Sequence, residues 1–304
     1  MSSSASLRDL PIDLAELKAI SARSDGPGLG RLALHLGLIL GLAALALALR
    51  GHWGIWPAMA VLGVFEAALF TPLHETTHRT PFRSLWLNRA VGWLGGFVLI
   101  LPPEGFRLFH MAHHRHTQDP ARDPELIGAK PLTRGRYVWL LTGIPYWMSQ
   151  IAGLITTARG RAEAPWIPPA SRRAVVREAR VYLALYLLLA VFGIVFRSDL
   201  PLLLWVIPVL LGQPVLRAVL MAEHAGCPQT ADRMANTRTT FAGRGFNLIF
   251  WNANLHIEHH FAPGVPFHAL PKLHAMLRPH LKTVAASYPA AHQAIRAGIT
   301  HADV

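Results

Sequence analysis

Long apolar runs dominate this chain, and four of them are long enough to form membrane-spanning helices. An α-helix rises about 1.5 Å per residue, so about 20 residues cross a hydrocarbon core of roughly 30 Å. The runs fall into two pairs, each joined by a short polar connection. They extend from Leu32 to Leu49, Trp53 to Leu73, Val181 to Phe196 and Leu200 to Met221. The pattern predicts an all-α integral membrane protein with four transmembrane helices in two hairpins, and we expect the first run to be retained as a membrane helix.

Two further apolar stretches, Leu85 to Leu101 and Tyr137 to Ile155, complicate the count of membrane spans. The first contains Asn88 and Arg89 and ends in two prolines. A single crossing by this stretch would place the chain before it and the chain after it on opposite sides of the membrane. That arrangement would separate histidine clusters that resemble one another. We therefore interpret both stretches as interfacial or re-entrant helices beneath a helical cap.

Arginines are frequent between the two predicted hairpins, and their position predicts the orientation of the chain. They include Arg79, Arg83, Arg89, Arg107, Arg115, Arg172, Arg173, Arg177 and Arg180. Cytoplasmic segments of membrane proteins carry an excess of Lys and Arg. We expect this side, with the cap, to be cytoplasmic and to belong to one domain over residues 1–304. Residues 1–30 and 271–304 would form its N-terminal cytoplasmic segment and C-terminal cytoplasmic tail.

The composition supports a membrane protein and narrows the chemistry. Of the 304 residues, 52% are hydrophobic and only 15% are charged, which is unusual for a soluble enzyme. The net charge of +12 is carried outside the apolar runs, which favours contact with anionic lipid over nucleic-acid binding. Cys227 is the single cysteine, which excludes an intrachain disulfide, a zinc-finger cage and an iron–sulfur cluster built from this chain. Any metal must therefore be held by histidines with carboxylates in support.

Histidines recur at helical spacing in three places. Residues at i, i+3 and i+4 leave one face of a helix, so each cluster could direct its imidazoles at a metal. The clusters are HETTH with His74 and His78, HMAHH with His110, His113 and His114, and HIEHH with His256, His259 and His260. A zinc ion uses three or four ligands, so two metal ions are the natural division of eight histidines. Imidazole suits iron, copper, zinc and nickel, and the position beside an apolar bundle favours iron.

Acidic residues are scarce in the chain but are concentrated near these clusters. A histidine that binds a metal usually donates its other N–H to a carboxylate or a carbonyl. The candidates for this orienting role are Glu75, Asp119, Asp123, Glu125, Glu223 and Glu258. The polar stretch Asn236 to Thr240 has two open interpretations, because it could line the substrate entrance or cap a helix.

Nine histidines lie outside the helical spacing of the clusters, and five of them need to be weighed as possible ligands. The five are His35, His52, His116, His268 and His274. His116 would lie about 240° around the helix from His110, so it faces away from that cluster. We interpret all five as packing, supporting or surface residues.

The three boxes in this order, with ARDPE after the second and FAPGVP after the third, resemble the membrane fatty acid desaturase superfamily. The resemblance extends over roughly Leu73 to His274. The first box is of the HxxxH type found in acyl-lipid and sphingolipid desaturases and in carotenoid ketolases. Members of this superfamily bind two irons, which activate O2 to remove hydrogen from an unactivated C–H bond. The resemblance therefore implies an O2-dependent oxidoreductase that desaturates a fatty acyl, lipid or similar aliphatic substrate.

Carried over residue by residue, the resemblance makes the eight box histidines iron ligands. It adds His224, in AEHAG after the last membrane helix, as a ninth ligand, and assigns no catalytic residue beyond the ligands. The heme-binding motif HPGG does not occur in the sequence. Electrons would therefore come from a separate donor of the ferredoxin, rubredoxin or cytochrome type.

The sequence also allows other functions. A hydroxylase or ketolase of the same superfamily, acting on a lipid, a carotenoid or a small molecule, would use the same ligands. The sequence His74 to His78 also matches the HExxH motif of zinc proteases, with Glu75 as general base. That interpretation leaves the other two boxes without a role. A metal transporter is a further alternative, but its ligands would lie near the middle of the membrane.

Overall fold

The computed structural model describes residues 12–127 and 133–299. The chain in these ranges is mostly helical, which confirms the predicted class. Its helices are α1 Leu14–Ile20, α2 Gly26–Ala48, α3 Ile55–Ala68, α4 Phe70–His78, α5 Leu85–Leu99, α6 Pro103–His116, α7 Arg134–Leu141, α8 Ile144–Ala158, α9 Arg172–Val195, α10 Ile207–His224, α11 Arg244–Ile249, α12 His256–Phe261, α13 Leu270–Leu277 and α14 Tyr288–Ala297. Two short parallel strands, β1 Thr239–Thr240 and β2 Val284–Ala285, pair in the register Thr239 to Val284.

Four helical segments are long and apolar enough to cross a membrane, as predicted. They are Gly26–Ala48, Ile55–His78, Pro169–Val195 and Leu202–His224. The second segment continues past Leu73 because α4 follows α3 almost directly, and the fourth continues to His224. Both extensions place a histidine at the last residue of a span. The parts of the expected terminal segments at residues 1–11 and 300–304 lie outside the described residues.

The second and fourth spans touch backbone to backbone. A Cβ built on Gly63 of α3 would collide with the Pro208 carbonyl, and one built on Gly212 of α10 would collide with the Gly63 backbone. Only glycine permits this approach, because any side chain would force the helices apart. The crossing fixes the position of α10, whose last residue is His224.

Side chains of the third and fourth spans both bond to α5. The Tyr186 hydroxyl donates to the Phe97 carbonyl at 2.7 Å, and the Trp205 indole donates to the Val98 carbonyl at 3.0 Å. The rings of Tyr186 and Trp205 stack with centroids 5.7 Å apart. The two spans therefore contact each other through this aromatic pair, and α5 holds both rings in place.

The chain bends sharply at the end of the first additional apolar stretch and within the second. The chain turns by 95° between α5 and α6 and by 64° between α7 and α8. By length and composition each bent pair could count as one broken span, which would give up to six. The chain leaves the site after His78 and is back at the same site by His110, because the Nε2 atoms of these two residues are 2.9 Å apart. This contact agrees with a re-entrant path for α5 and α6.

Candidate metal centre

The three histidine boxes converge at one site, together with the end of α10. Each box lies on a helix: the first on α4, the second on α6 and the third on α12. Two groups of imidazole nitrogens form there, and the potential ligand atoms of each group lie within 4.8 Å of one another. Centre A contains His74, His78, His110, His114 and His259, and centre B contains His113, His224 and His260. His256 joins centre B through His224, in a further group that includes Glu223.

Centre A has its nitrogen atoms in close contact. The Nε2 atom of His110 lies 2.9 Å from Nε2 of His78 and 2.9 Å from Nε2 of His114. The latter nitrogen is also 3.1 Å from Nε2 of His259. The rings of His74 and His110 are 4.4 Å apart. Three helices, α4, α6 and α12, supply all the histidines of centre A.

Centre B lies directly beside centre A. The Nε2 atom of His224 is 3.2 Å from that of His113 and 2.9 Å from that of His256. The rings of His260 and His114 stack with centroids 4.1 Å apart, which links the two centres. The Glu223 carboxylate also adjoins this centre, with its Oε2 3.6 Å from Nε2 of His256.

The donor set fits bound metal ions. A neutral imidazole carries one N–H and can therefore donate only one hydrogen bond. Where three imidazole nitrogens lie within hydrogen-bond distance of one another, some of the contacts must bring two lone pairs together. Among the described residues, the buried Nε2 atoms of His74 and His260 have no hydrogen-bond partner. Buried polar atoms are rarely left unsatisfied, and a cation would accept these lone pairs. The arrangement is therefore a candidate site for two metal ions.

The protonation state of the site also suits a metal. Burial, followed by the charges of neighbouring imidazoles, lowers the pKa of His256, His259 and His260 well below the usual value. These rings are therefore neutral at pH 7. Neutral imidazole is the form that binds metals, so protons compete little for the lone pairs.

Two carboxylates lie beside Nδ1 atoms of the box histidines. The Nδ1–H of His113 donates to Asp123 at 2.9 Å, and both residues are buried. The Asp123 carboxylate also accepts the backbone N–H groups of Gln118 and Glu125, which hold it in place. Glu75 is 3.3 Å from Nδ1 of His74 and 3.8 Å from Nδ1 of His259. Carboxylates in these positions fix the ring orientation and raise the basicity of the ligands.

The other acidic candidates have different contacts. Asp119 pairs with Arg122 at 2.6 Å and accepts the backbone N–H of Ala121, and its bonds within the described ranges include no histidine of the boxes. Glu258 is fully buried but faces away from both centres, because it bonds His274 at 2.5 Å and Thr239 at 2.6 Å. Glu125 lies at the margin of centre B, 3.8 Å from Nδ1 of His113.

The role of His274 could not be found from helical spacing, since sixteen residues separate it from its partner Glu258. Thr239 connects the same carboxylate to the start of α12, where its hydroxyl accepts the N–H of Ile257 at 3.1 Å. Of the two interpretations of the stretch Asn236 to Thr240, this contact favours the helix cap.

His35 is a packing residue as expected, bonded to the Phe65 carbonyl and to the indole of Trp251.

We expect Asp123→Asn to weaken metal binding at centre B by about 10- to 100-fold, because the amide cannot support the His113 ring as a carboxylate does. Metal titration of the purified protein measures this effect. Asp119→Asn is the matched control, as it removes a carboxylate of the same loop that pairs with Arg122 instead. Equal metal affinity in the two variants would contradict the orienting role of Asp123.

The fold and the site together define a class of protein: a helical protein with four candidate membrane spans and a histidine-rich candidate metal site at the ends of its helices. The sequence places it more narrowly. The family model for fatty acid desaturases matches residues 51–292, so the chain belongs to the fatty acid desaturase family and is an oxidoreductase.

Several named proteins that resemble the chain are desaturases. The chain is 22% identical to the sn-1 oleoyl-lipid 12-desaturase of Picosynechococcus sp. over 90% of its own length and 81% of the relative's. It is 27% identical to the dihydrorhizobitoxine desaturase of Bradyrhizobium elkanii over 78% and 72% of the two chains. A sn-1 acyl-lipid omega-3 desaturase (ferredoxin) of Nostoc sp. is 28% identical over 42% of this chain and 36% of that relative.

Proposed function

We propose that this protein is a di-iron desaturase that introduces a double bond into an aliphatic substrate, a fatty acyl chain or a lipid. The observation that carries the proposal is the division of the box histidines between two adjacent groups, each able to hold one ion. Membership of the desaturase family supports the same reaction. We propose further that the two groups face the cytoplasm, in keeping with the arginines between the predicted hairpins.

The chain's own residues would hold and orient the metals. Centre A would bind one iron through its five histidines, and centre B would bind the other through His113, His224, His256 and His260. Bound iron would supply the activation of O2 that removal of hydrogen from an unactivated C–H bond requires. Asp123 and Glu75 would keep the rings of His113 and His74 in position, since both carboxylates lie near the Nδ1 atoms.

An apolar wall beside centre A suits an aliphatic substrate. The ring of Phe70 lies 6.0 Å from that of His74, and the ring of Phe106 stacks at 5.5 Å on that of His110. The two phenylalanines also contact each other, with centroids 5.6 Å apart. An acyl chain on this wall would exclude water from the histidines and bring its C–H bonds towards the metals.

The protease alternative gains no support from the site. In a zinc protease Glu75 would face an open metal position as general base. Here its carboxylate contacts Nδ1 of His74 and accepts the Thr80 hydroxyl at 3.1 Å. The histidines of α6 and α12 adjoin His74 and His78 in one group, which a mononuclear protease would not use.

The product identifies the reaction. We expect expression in a bacterial host to yield lipids or fatty acids that have lost two hydrogens, measured by mass spectrometry against cells with the His113→Ala variant. A gain of one oxygen would indicate a hydroxylase, and a gain of oxygen with loss of two hydrogens would indicate a ketolase. Elemental analysis is expected to find two irons per chain. One zinc per chain with no lipid product would contradict the proposal.

A further inference from the structure

Arg217 is a charged side chain within the fourth candidate span, which runs from Leu202 to His224. It lies seven residues before His224 on α10, so the two side chains leave nearly the same face of the helix, about 10 Å apart along its axis. A charge inside the apolar part of a membrane is costly, and proteins place it there mainly at functional sites. Arg217 is therefore a candidate binding residue two helical turns from the metal site.

Two side chains hold the Arg217 guanidinium in place. Its central carbon lies 4.3 Å from the centre of the Tyr146 ring, and the Tyr146 hydroxyl donates to the Leu99 carbonyl at 2.8 Å, which fixes that ring. With the Gln213 amide oxygen turned towards Arg217, this oxygen accepts Nε–H and Nη2–H at 3.0 and 3.3 Å. A guanidinium has five N–H groups, and Arg217 forms no other hydrogen bond with the described residues. The remaining N–H groups are therefore available to a ligand.

No carboxylate forms an ion pair with Arg217 in the part of the chain that the structure describes. Glu223 and Glu125 are close enough for their charges to act on it. Both lie nearer to histidines, since Glu223 is 3.6 Å from Nε2 of His256 and Glu125 is 3.8 Å from Nδ1 of His113. A guanidinium binds a carboxylate or a phosphate through paired N–H groups. Arg217 is therefore suited to an anionic group that a ligand supplies.

An apolar path connects Arg217 with centre A. Tyr146, which lies under the guanidinium, and Phe70 both pack against one buried cluster, formed by Leu99, Trp147 and Val209. The Phe70 ring lies 6.0 Å from that of His74. An aliphatic chain that begins at Arg217 and follows this path would therefore reach the wall beside the histidines.

The helix that carries Tyr146 faces the lipid. One side of α8 exposes Ile144, Met148 and Ile151, and the other side buries Trp147 and Leu154. A helix with an exposed apolar face of this kind lies in the membrane interface. Arg217 is itself only partly buried, so an amphiphile dissolved in the bilayer can reach it beside α8.

We propose that Arg217 binds the anionic head group, a carboxylate or a phosphate, of an amphiphilic substrate whose aliphatic chain follows the apolar path to centre A. This proposal rests on the proposed function and adds the class of substrate to it. Gln213 would keep the guanidinium turned towards the head group, and Tyr146 would pack against its face. A free fatty acid would supply a carboxylate, and a lysophospholipid would supply a phosphate.

The test measures binding and does not require turnover. Full-length protein in dodecyl maltoside is titrated at about pH 9, where a carboxyl group is ionised, with tritiated oleate, oleoyl lysophosphatidate and monooleoylglycerol. We expect at least one of the two anions to bind about tenfold or more tightly than the neutral monooleoylglycerol, because it forms charge-assisted hydrogen bonds. The anion that binds more tightly identifies the head group.

Arg217→Gln is expected to lower the affinity for that anion about tenfold or more and to leave the affinity for monooleoylglycerol unchanged. Unchanged binding of the neutral amphiphile shows that the variant is folded. Arg217→Lys keeps the charge but loses the paired N–H groups, so it should lose part of the anion affinity. The lysine variant serves as the test if the glutamine variant does not fold.

Arg180→Gln is the matched control, because Arg180 also lies in a candidate span and also contacts α8. Its Nε–H donates at 2.9 Å to the carbonyl of Ala158, the last residue of α8. Ala158 is twelve residues from Tyr146, roughly 18 Å along the helix. The control should bind each amphiphile with the affinity of the unmodified protein.

Three results would overturn the proposal. The first is equal affinity of the unmodified protein for all three amphiphiles, and the second is equal anion affinity of the Arg217 and Arg180 variants. The third is an equal loss of anionic and neutral binding in Arg217→Gln, which would give Arg217 a purely structural role. Lipid products are profiled in parallel, so anion binding through Arg217 without any double bond formed would contradict the proposed function and leave the anion site standing.

Discussion

Replacing His259 by alanine is expected to abolish desaturation and to remove the metal from centre A. The Nε2 atom of His259 is 3.1 Å from that of His114, and its ring is 4.5 Å from that of His74, so it joins the contributions of α6 and α4. Loss of a residue that only orients a ligand lowers metal affinity by about 10- to 100-fold, and loss of a ligand costs at least as much. The iron content should fall from two ions per chain to one, because the histidines of centre B are unchanged. Elemental analysis and lipid profiling measure the two effects.

His116→Ala provides the control for this experiment. His116 lies on α6 with three of the box histidines but belongs to neither centre. Its variant should keep both the iron and the activity of the unmodified protein. Turnover by His259→Ala at the level of His116→Ala would show that centre A is not required.

Gly212→Ala is expected to destabilise the protein by about 1–3 kcal/mol, although alanine is the better helix former. The added methyl group would collide with the backbone of Gly63 and Val64, and neither can move without displacing α3. The displacement should also shift the end of α10 and lower metal binding by His224. Denaturant titration of the protein in detergent, combined with metal analysis, measures both consequences.

Gly41→Ala is the matched substitution in another spanning helix. Nothing lies within 4 Å of a Cβ built at Gly41, which is exposed on α2. This variant should be unchanged or more stable by up to about 1 kcal/mol, because only the helix propensity changes. Effects of the same sign and size in the two variants would contradict the close crossing of α3 and α10.

Local spacing made much of this molecule predictable. The i, i+3, i+4 pattern indicated helical histidine boxes, and the apolar runs indicated four spans. The third span begins at Pro169, well before the predicted Val181, because an arginine-rich helical stretch precedes the apolar run. Both signals depend on helical periodicity, which is a property of neighbouring residues. The ligand roles themselves stay a prediction that metal analysis has to test.

Contacts between distant segments were not predictable in the same way. Asp119 and Asp123 are four residues apart in one loop, yet only Asp123 reaches His113, because the turn between them directs Asp119 to Arg122. Glu258 lies between two box histidines in sequence but bonds His274 on the opposite face of α12. A sequence shows which carboxylates are near a box, and the path of the chain decides which of them touch it.

The sequence by itself determined the helical membrane class, the three boxes and the number of imidazoles available for metal. The tertiary structure decided how these imidazoles are shared. His113 and His114 are neighbours in sequence, yet they belong to different centres, because consecutive helical residues point about 100° apart and meet different partner helices. The partners come from α4, α10 and α12, and only the packing of these helices against α6 brings their histidines within reach.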